Sequence, residues 1–309
     1  MNQTKGKTGG AVQTTGHAWD GDIQEFNNPL PSWWLWSFYA TVVFAVVYWI
    51  FFPAWPVANS YTKGVMNNIT FVDSEGNEKT MHWNTRALLI KDMQEGKMAV
   101  LSREYMDKVA AAGYSEILGD PEMMAFTRSM AKGIFGDNCA PCHGAGGAGV
   151  VGLFPNLADD SWLWGGSVEN IETTITEGRF GFMPAFREAL SEAQIDDTAS
   201  YVLSLSGQTV DAAASARGKA IFQTNEGGCY YCHTPAATGL KSQGAANLTD
   251  QIWTIVDFSG AADLEAKKTL VKQVISNGVE RRMPHWSERL TPAQIKLLTV
   301  YVHELGGGQ

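Results

Sequence analysis

The sequence predicts an all-α protein with one N-terminal transmembrane helix followed by two tandem copies of a small helical domain. Three observations support this fold class. Residues 33–52 form a stretch of twenty residues without a charge. A Cys-x-x-Cys-His motif stands at residues 139–143 and again at residues 229–233. From about residue 125 onward, the residues around the first motif recur around the second, which is typical of an internal repeat.

Length and composition limit the possible classes of protein. A chain of 309 residues has room for about two domains of ordinary size plus further segments. The net charge of −9 and the pI of about 5.2 argue against a nucleic-acid partner. The same negative charge can steer a basic protein surface toward this one. All four cysteines lie inside the two motifs, so none is left for a structural disulfide.

The uncharged stretch is long enough to cross a membrane. At about 1.5 Å per residue, twenty helical residues span a hydrocarbon core of about 30 Å. We therefore predict a cytoplasmic segment over residues 1–31 and a transmembrane helix over residues 32–53, ended by Pro53 and Pro56. The preceding residues show no signal-peptide cleavage site, so we expect the helix to be kept as an anchor.

Residues 54–123 carry the least information and are predicted to form a spacer. Two β-prone runs flank the turn-forming residues 73–77, which predicts a small hairpin over residues 69–81. Residues 86–106 are predicted to be helical. No residue of the spacer is assigned any chemistry.

Cys-x-x-Cys-His is the attachment signature of a c-type haem, in which two thiols bind the porphyrin and the imidazole ligates the iron. Paired cysteines also bind zinc, but Cys142 and Cys229 are 87 positions apart (229 − 142), and zinc pairs are separated by about 15 to 20 residues. We therefore predict two covalently bound haems c. The attachment residues are Cys139, Cys142, Cys229 and Cys232, and the iron ligands are His143 and His233.

The repeat gives the boundaries of the two haem domains. Each copy consists of a helix, the motif, a loop, a helix, a Met-Pro loop and a last helix. We place cytochrome c-like domain 1 at residues 124–208 and domain 2 at residues 209–309, joined by a linker at 211–216. The last helix of each copy begins with a predicted capping box, residues 191–194 and 291–294.

A haem that only carries electrons needs a sixth ligand, and a methionine thioether raises the reduction potential. Met183 and Met283 each precede a proline and follow their histidines by 40 and 50 residues (183 − 143; 283 − 233). We predict that Met183 binds haem 1 and Met283 binds haem 2. His285 is the competing ligand for haem 2, and His303 is a weaker one.

Other residues near the haems receive weaker interpretations. Arginines close to the Met-Pro loops can pair with haem propionates or lie in solvent; they are Arg179, Arg281 and Arg282. Tryptophans that can pack on the haem edges are Trp162, Trp164 and Trp253. Neither a nucleophile with a base nor paired carboxylates are recognisable. We therefore expect no catalytic residue in this chain and interpret it as a carrier of electrons.

The residues flanking the anchor resemble a known family. Residues 16–21, 27–34 and 53–56, with Tyr39 and Tyr48 inside the span, resemble the membrane-anchored dihaem cytochrome c subunit of cbb3-type cytochrome c oxidases, called FixP or CcoP. The resemblance covers nearly the whole chain. It implies the same ligand pairs, His143 with Met183 and His233 with Met283. Residues 66–80 look like an insertion relative to the family.

The resemblance also implies partners and location. Electrons would come from a soluble cytochrome c or a quinol:cytochrome c reductase and pass through a monohaem subunit to the catalytic haem–copper subunit, within a proton-pumping oxidoreductase complex. The subunit would sit in lipid of the bacterial inner membrane, with its haem domains in the periplasm. Two other functions stay open: a dihaem peroxidase, and the cytochrome subunit of a membrane dehydrogenase.

Overall fold

The computed structural model describes residues 13–52, 55–65 and 68–306. The chain falls into two compact units, residues 1–101 and residues 102–309, and each is described by itself.

The N-terminal unit combines an apolar helix with small antiparallel hairpins, β1–β2, β3–β4 and β5–β6. Its elements are β1 (Thr14–Trp19), β2 (Ile23–Phe26), α1 (Ser32–Phe51), β3 (Pro56–Val57), β4 (Ser60–Tyr61), β5 (Asn68–Val72), β6 (Glu78–His82) and α2 (Thr85–Glu95). These strands depart from the all-α prediction. The β1–β2 hairpin lies within residues 1–31, for which no strand was predicted.

Helix α1 has the length and composition of a membrane span. It is twenty residues long, and none of its side chains is buried against the rest of the protein. Its backbone leaves the helical conformation at Phe52, which is extended (φ −120°, ψ 151°). Pro53, predicted to end the helix, lies outside the described residues. An apolar helix with no buried side chain fits membrane anchoring.

A charge in the middle of α1 should weaken this anchoring. We expect Val43→Arg to disfavour insertion by about 2.5–3.5 kcal/mol, since an arginine at the centre of a span is costly. The measurement is the fraction of protein that stays with the membrane after alkaline extraction, with Val43→Leu as the control. Equal retention of the two variants would contradict an anchoring role for α1.

The hairpin predicted over residues 69–81 is present as β5–β6. Ile69 pairs with Met81, and Phe71 and Ile69 are buried beneath it. The Asp73 carboxylate accepts hydrogen bonds from the backbone amides of Glu75 (3.0 Å) and Asn77 (2.8 Å), which closes the turn. Met66, at the start of the predicted insertion, lies outside the described residues.

The single helix predicted over residues 86–106 is two helices, α2 and α3 (Lys97–Ala111), which are separated at Gly96. The backbone of Gly96 is extended (φ −60°, ψ 140°), and a Cβ added there would lie 2.3 Å from the Asp92 carbonyl oxygen. A residue with a side chain would not fit this tight break.

The C-terminal unit is built mainly from helices. With α3, which begins in the N-terminal unit, the elements are α3 (Lys97–Ala111), α4 (Tyr114–Gly119), α5 (Pro121–Asn138), α6 (Ala140–His143), α7 (Val168–Glu177), β7 (Arg179–Met183), α8 (Glu192–Leu205), α9 (Ala212–Phe222), α10 (Tyr230–His233), α11 (Leu264–Asn277), β8 (Val279–Met283) and α12 (Pro292–His303). Both predicted capping boxes are confirmed, at the starts of α8 and α12.

The Met-Pro segments, predicted as loops, begin as strands that pair with each other. Strand β7 of copy 1 runs antiparallel to β8 of copy 2, so that Arg179 lies opposite Met283 and Met183 lies opposite Val279. Gly181 and Arg281, which occupy equivalent positions of the repeat, face each other at the centre. We call this pair of strands the ribbon. It relates the two copies by a local two-fold axis.

Beyond the ribbon, the two copies exchange their last helices. Helix α12 of copy 2 packs on α5 and α7 of copy 1, and α8 of copy 1 packs on α9 and α11 of copy 2. We call α5, α6, α7 and α12 the first body, and α8 to α11 the second body. The predicted tandem order, in which each copy would close its own core, therefore differs from the packing in the structure. The crossing strands of the ribbon carry each chain segment into the other body.

The buried side chains follow the same exchange. The core of the first body joins Phe135 of α5 and Ile171 of α7 to Leu298 of α12. The core of the second body joins Leu203 of α8 to Ile221 of α9 and Ile275 of α11. Each core is thus assembled from both copies of the repeat.

Candidate haem-binding sites

The cysteines of each motif lie at the start of a short helix that follows a longer one. Cys139 ends α5, and its backbone amide donates to the Phe135 carbonyl, so that α6 turns away with Cys142 on its surface. In both motifs the first cysteine is half-buried, the second is exposed, and neither forms a disulfide. Burial raises the pKa of the Cys139 and Cys229 thiols to about 11. Both sulfurs of each motif are free for thioether formation.

Each motif histidine is oriented by a backbone carbonyl. The Nδ1 of His143 lies 3.0 Å from the Pro155 oxygen, and the Nδ1 of His233 lies 2.9 Å from the Ala246 oxygen. A carbonyl can only accept, so Nδ1 carries the proton and the lone pair of Nε2 is free for a metal. Burial lowers the pKa of both rings, and the hydrogen bonds offset this in part. Both imidazoles are therefore held neutral, as an iron ligand must be.

The second body contains a deep apolar cavity with about 840 Å³ of space, its open mouth included. His233 and Cys229 lie in its lining, and Met183 lies in the same lining. Further apolar lining residues are Phe186, Val202, Phe222, Trp253, Val271 and Ile275. Apolar walls with one imidazole and one thioether suit a haem, which is a large apolar ring with a metal at its centre.

The two methionines lie in the bodies opposite to those predicted. Met183 packs on the core of the second body, with Leu190 and Ile195, and so lies with His233. Met283 packs on the core of the first body, which also contacts Cys139 and Ala140. The structure therefore does not bring Met183 together with His143, or Met283 together with His233. This placement differs from the pairing predicted from the repeat and from the resemblance, and the crossing of the ribbon is the physical reason.

Backbone hydrogen bonds fix each methionine segment in the body that it enters. Behind Met183, the Phe186 amide donates to the Ile275 carbonyl at the end of α11 (3.0 Å). Behind Met283, the Trp286 amide donates to the Ile175 carbonyl at the end of α7 (3.0 Å). The two bonds are equivalent under the two-fold relation of the ribbon.

Two glycines allow the strands to cross. Gly178 (φ +73°) and Gly278 (φ +70°) end α7 and α11 in a backbone conformation that is nearly restricted to glycine. A Cβ on Gly178 would lie 2.5 Å from the Met283 oxygen, and a Cβ on Gly278 would lie 2.5 Å from the Met183 oxygen. Each glycine therefore leaves room for the methionine of the other copy.

The two histidines considered as alternative ligands of haem 2 do not line the cavity that contains His233. His285 is largely exposed, with its Nε2 3.6 Å from the Glu288 carboxylate. His303 lies on α12 with its Nδ1 3.7 Å from the Glu304 carboxylate, which also pairs with Arg128 (3.0 Å). Neither histidine lies in the lining of the cavity in the second body.

The three tryptophans are divided between the bodies. Trp162 packs on the core of the first body and Trp253 on that of the second. Trp164 lies under the Arg179 guanidinium, 5.0 Å from ring centroid to Cζ, and against Gly244, where a Cβ would come within 2.4 Å of the indole. Trp164 therefore joins copy 1 to copy 2 and is not among the residues that line the cavity in the second body.

A signal for the exchange was present in the sequence. Only residues 206–211 separate α8 from α9. Elements joined by so short a connection usually pack on each other, which favours α8 against α9 instead of α5.

Comparisons with known proteins identify the family. The family "N-terminal domain of cytochrome oxidase-cbb3, FixP" matches residues 11–59, and "Cytochrome C oxidase, cbb3-type, subunit III" matches residues 129–202 and 213–302. The FixP subunit of Azorhizobium caulinodans is 43% identical, with 97% of this chain and 95% of the relative covered. The CcoP subunit of Cereibacter sphaeroides is 39% identical over 100% and 99%, and that of Rhodobacter capsulatus is 41% identical over 96% and 97%. With its two haem c attachment motifs, this chain belongs to the FixP/CcoP family of cytochrome c subunits of cbb3-type cytochrome c oxidases.

Proposed function

We propose that the chain relays electrons through two haems, each held by the histidine of one repeat copy and the methionine of the other. The pairs are His143 with Met283 and His233 with Met183. The observation that carries this proposal is that Met183 and His233 line one apolar cavity. The haem supplies reversible one-electron chemistry, and the protein supplies ligands, apolar walls and a fixed separation. Two iron ligands from the protein leave no position for a substrate.

The ribbon supports direct electron exchange between the haems. Met183 lies opposite Val279, and Met283 follows four residues further along the same strand (283 − 279). At about 3.4 Å per residue, the two methionine backbones are separated by about 14 Å along the ribbon. The ribbon, two strands of five residues each, would therefore supply one methionine to each haem.

We further propose where the domains begin and end. Residues 1–31 precede the anchor, α1 is the anchor, and residues 54–123 join it to the haem domains. The first haem domain then consists of the first body and the second haem domain of the second body. The boundaries 124–208 and 209–309 describe the repeat copies, and each domain takes its last helix from the other copy.

The partners and the orientation are proposed from the family. We propose that electrons enter from a soluble cytochrome c or the quinol:cytochrome c reductase and leave through the monohaem subunit to the catalytic haem–copper subunit. We place the N-terminus in the cytoplasm and both bodies in the periplasm, where covalent haem attachment takes place in bacteria. Fusion of a periplasm-dependent phosphatase to the C-terminus tests the orientation, since it would be inactive on the cytoplasmic side.

Co-purification tests the function. An affinity-tagged chain, solubilised in detergent from its native membrane, should bring with it b-type haem, copper and oxygen consumption. Recovery of the dihaem chain with a dehydrogenase and without copper would instead assign it to the other membrane complex. Strong carbon monoxide binding to the isolated reduced chain would favour a peroxidase, because it requires an open position at iron.

A substitution at Gly278 should disturb the haem of the second body through Met183, the proposed ligand that comes from the other copy. Gly278→Ala places a Cβ against the Met183 backbone. It also strains the backbone of residue 278, at a cost of about 1–3 kcal/mol. We therefore expect loss of methionine ligation at the haem on Cys229 and Cys232, measured by optical and EPR spectroscopy. Gly207→Ala is the control, because Gly207 has φ +84° with no atom within 4 Å of an added Cβ. Identical spectra for the two variants would argue against contact between Gly278 and the ligand.

A further inference from the structure

Arg281 lies at the centre of the ribbon, between the two methionines. It pairs with Gly181, and in both strands the alternate residues 179, 181, 183, 279, 281 and 283 are half-buried on one face. Met183 and Met283 stand at opposite ends of this face. Because Gly181 has no side chain, Arg281 carries the side chain of the central pair on this face.

The guanidinium of Arg281 is buried with incomplete partners. Its Nη2 donates to the Thr254 carbonyl at 2.9 Å. Its Nε and Nη1 are buried and have no hydrogen-bond partner among the described residues, and none of the described carboxylates forms an ion pair with it. Burial lowers its pKa from the usual arginine value. A buried cation without a counter-ion is costly, so this position calls for an anion.

The neighbouring arginines do not share this property. Arg179 is engaged by the Thr174 hydroxyl (2.9 Å), the Asn170 carbonyl (3.4 Å) and the face of Trp164. Arg282 is exposed on the opposite face of the ribbon. Of the three arginines near the Met-Pro segments, Arg281 therefore has the unused donors.

The position of Arg281 points to the second haem. Thr254, whose carbonyl it binds, lies in the lining of the cavity that contains His233 and Met183. The Nε and Nη1 donors of a guanidinium form a fork that matches the two oxygens of a carboxylate. The carboxylates that a haem brings with it are its propionates.

We propose that Arg281 is a positioning residue that binds a propionate of the haem attached to Cys229 and Cys232. This inference rests on the proposed function, because it needs a haem in that cavity. The ion pair neutralises a carboxylate beside the iron. Since the ferric form carries one more positive charge than the ferrous form, neutralising that carboxylate raises the reduction potential of this haem.

The test uses the full holo-chain in detergent and compares Arg281→Gln with Arg282→Gln. We expect Arg281→Gln to lower the potential of the second haem by about 59 mV, a tenfold change in its one-electron equilibrium. The propionate carboxylate bands in the reduced-minus-oxidised infrared spectrum should shift with it. Arg282→Gln should change neither reading. Equal effects of the two variants on potential and bands would overturn the proposal.

A second measurement tests the proposal without Arg281→Gln, in case that variant accumulates poorly. In the wild-type holo-chain labelled with guanidino-¹⁵N arginine, a guanidinium band should appear in the same difference spectrum and persist in Arg179→Gln and Arg282→Gln. Absence of any arginine band would overturn the proposal. Wild-type haems without methionine ligation would refute the proposed function, whereas methionine-ligated haems that do not respond to Arg281 would refute this inference alone.

Discussion

Met183→His should lower the reduction potential of the haem attached to Cys229 and Cys232, not that of the haem attached to Cys139 and Cys142 in its own repeat copy. A nitrogen ligand in place of a thioether favours ferric iron. We expect a fall of at least about 120 mV, two tenfold steps in the one-electron equilibrium. The measurement is a spectroelectrochemical titration of the detergent-solubilised chain. Met283→His is the matched variant and should act on the other haem.

The two haems are distinguished by removing one attachment site at a time. In a chain with Cys139→Ala and Cys142→Ala, the single remaining covalent haem should respond to Met183→His and not to Met283→His. The opposite response would restore the pairing within each copy. It would also show that the strands of the ribbon do not carry the ligands across.

Truncation of one leucine on α12 should loosen the first body although α12 belongs to the second copy. Leu298 is fully buried, and its packing partners in the first body include Phe135 and Ile171. We expect Leu298→Ala to cost about 2–5 kcal/mol, the usual range for a buried leucine. Hydrogen exchange should then show reduced protection of α5 and α7, while α9 keeps its protection.

Helix α8 supplies a control leucine for this substitution. Leu203 is the fully buried leucine of α8 and packs on the core of the second body with Ile221. Leu203→Ala should reduce the protection of α9 and α11 and spare α5. If instead Leu298→Ala loosened α9, or Leu203→Ala loosened α5, the exchange of helices would be contradicted.

Local signals predicted the parts of this protein well. The Cys-x-x-Cys-His motifs predicted haem c as the cofactor, and the side chains at Ser191 and Thr291 gave the true starts of α8 and α12. The uncharged stretch gave α1 within one residue at each end. These features depend on residues close together in the chain, so a single sequence contains them completely.

The exchange between copies was not predicted, because the local patterns are the same with and without it. Helices α8 and α12 are repeats of each other and bury equivalent positions, Ile195 and Ile295 among them. The burial pattern of either helix therefore does not say whether it packs on α5 or on α9. What decides is the connection: a short link from α8 to α9, and two strands that pair only with each other. The Met-Pro dipeptides predicted loops, so the strands that precede each proline were not predicted.

Nuclear magnetic resonance of the holo-chain shows which haem Met183 binds. In the reduced, diamagnetic holo-chain with ¹³C-methyl methionine, the two ligand methyl groups should appear strongly shifted upfield, and Met183→Leu assigns one of them. We predict nuclear Overhauser contacts from the Met183 methyl to the haem whose thioether bridges lead to Cys229 and Cys232. Contacts to the haem on Cys139 and Cys142 would contradict the exchanged ligation.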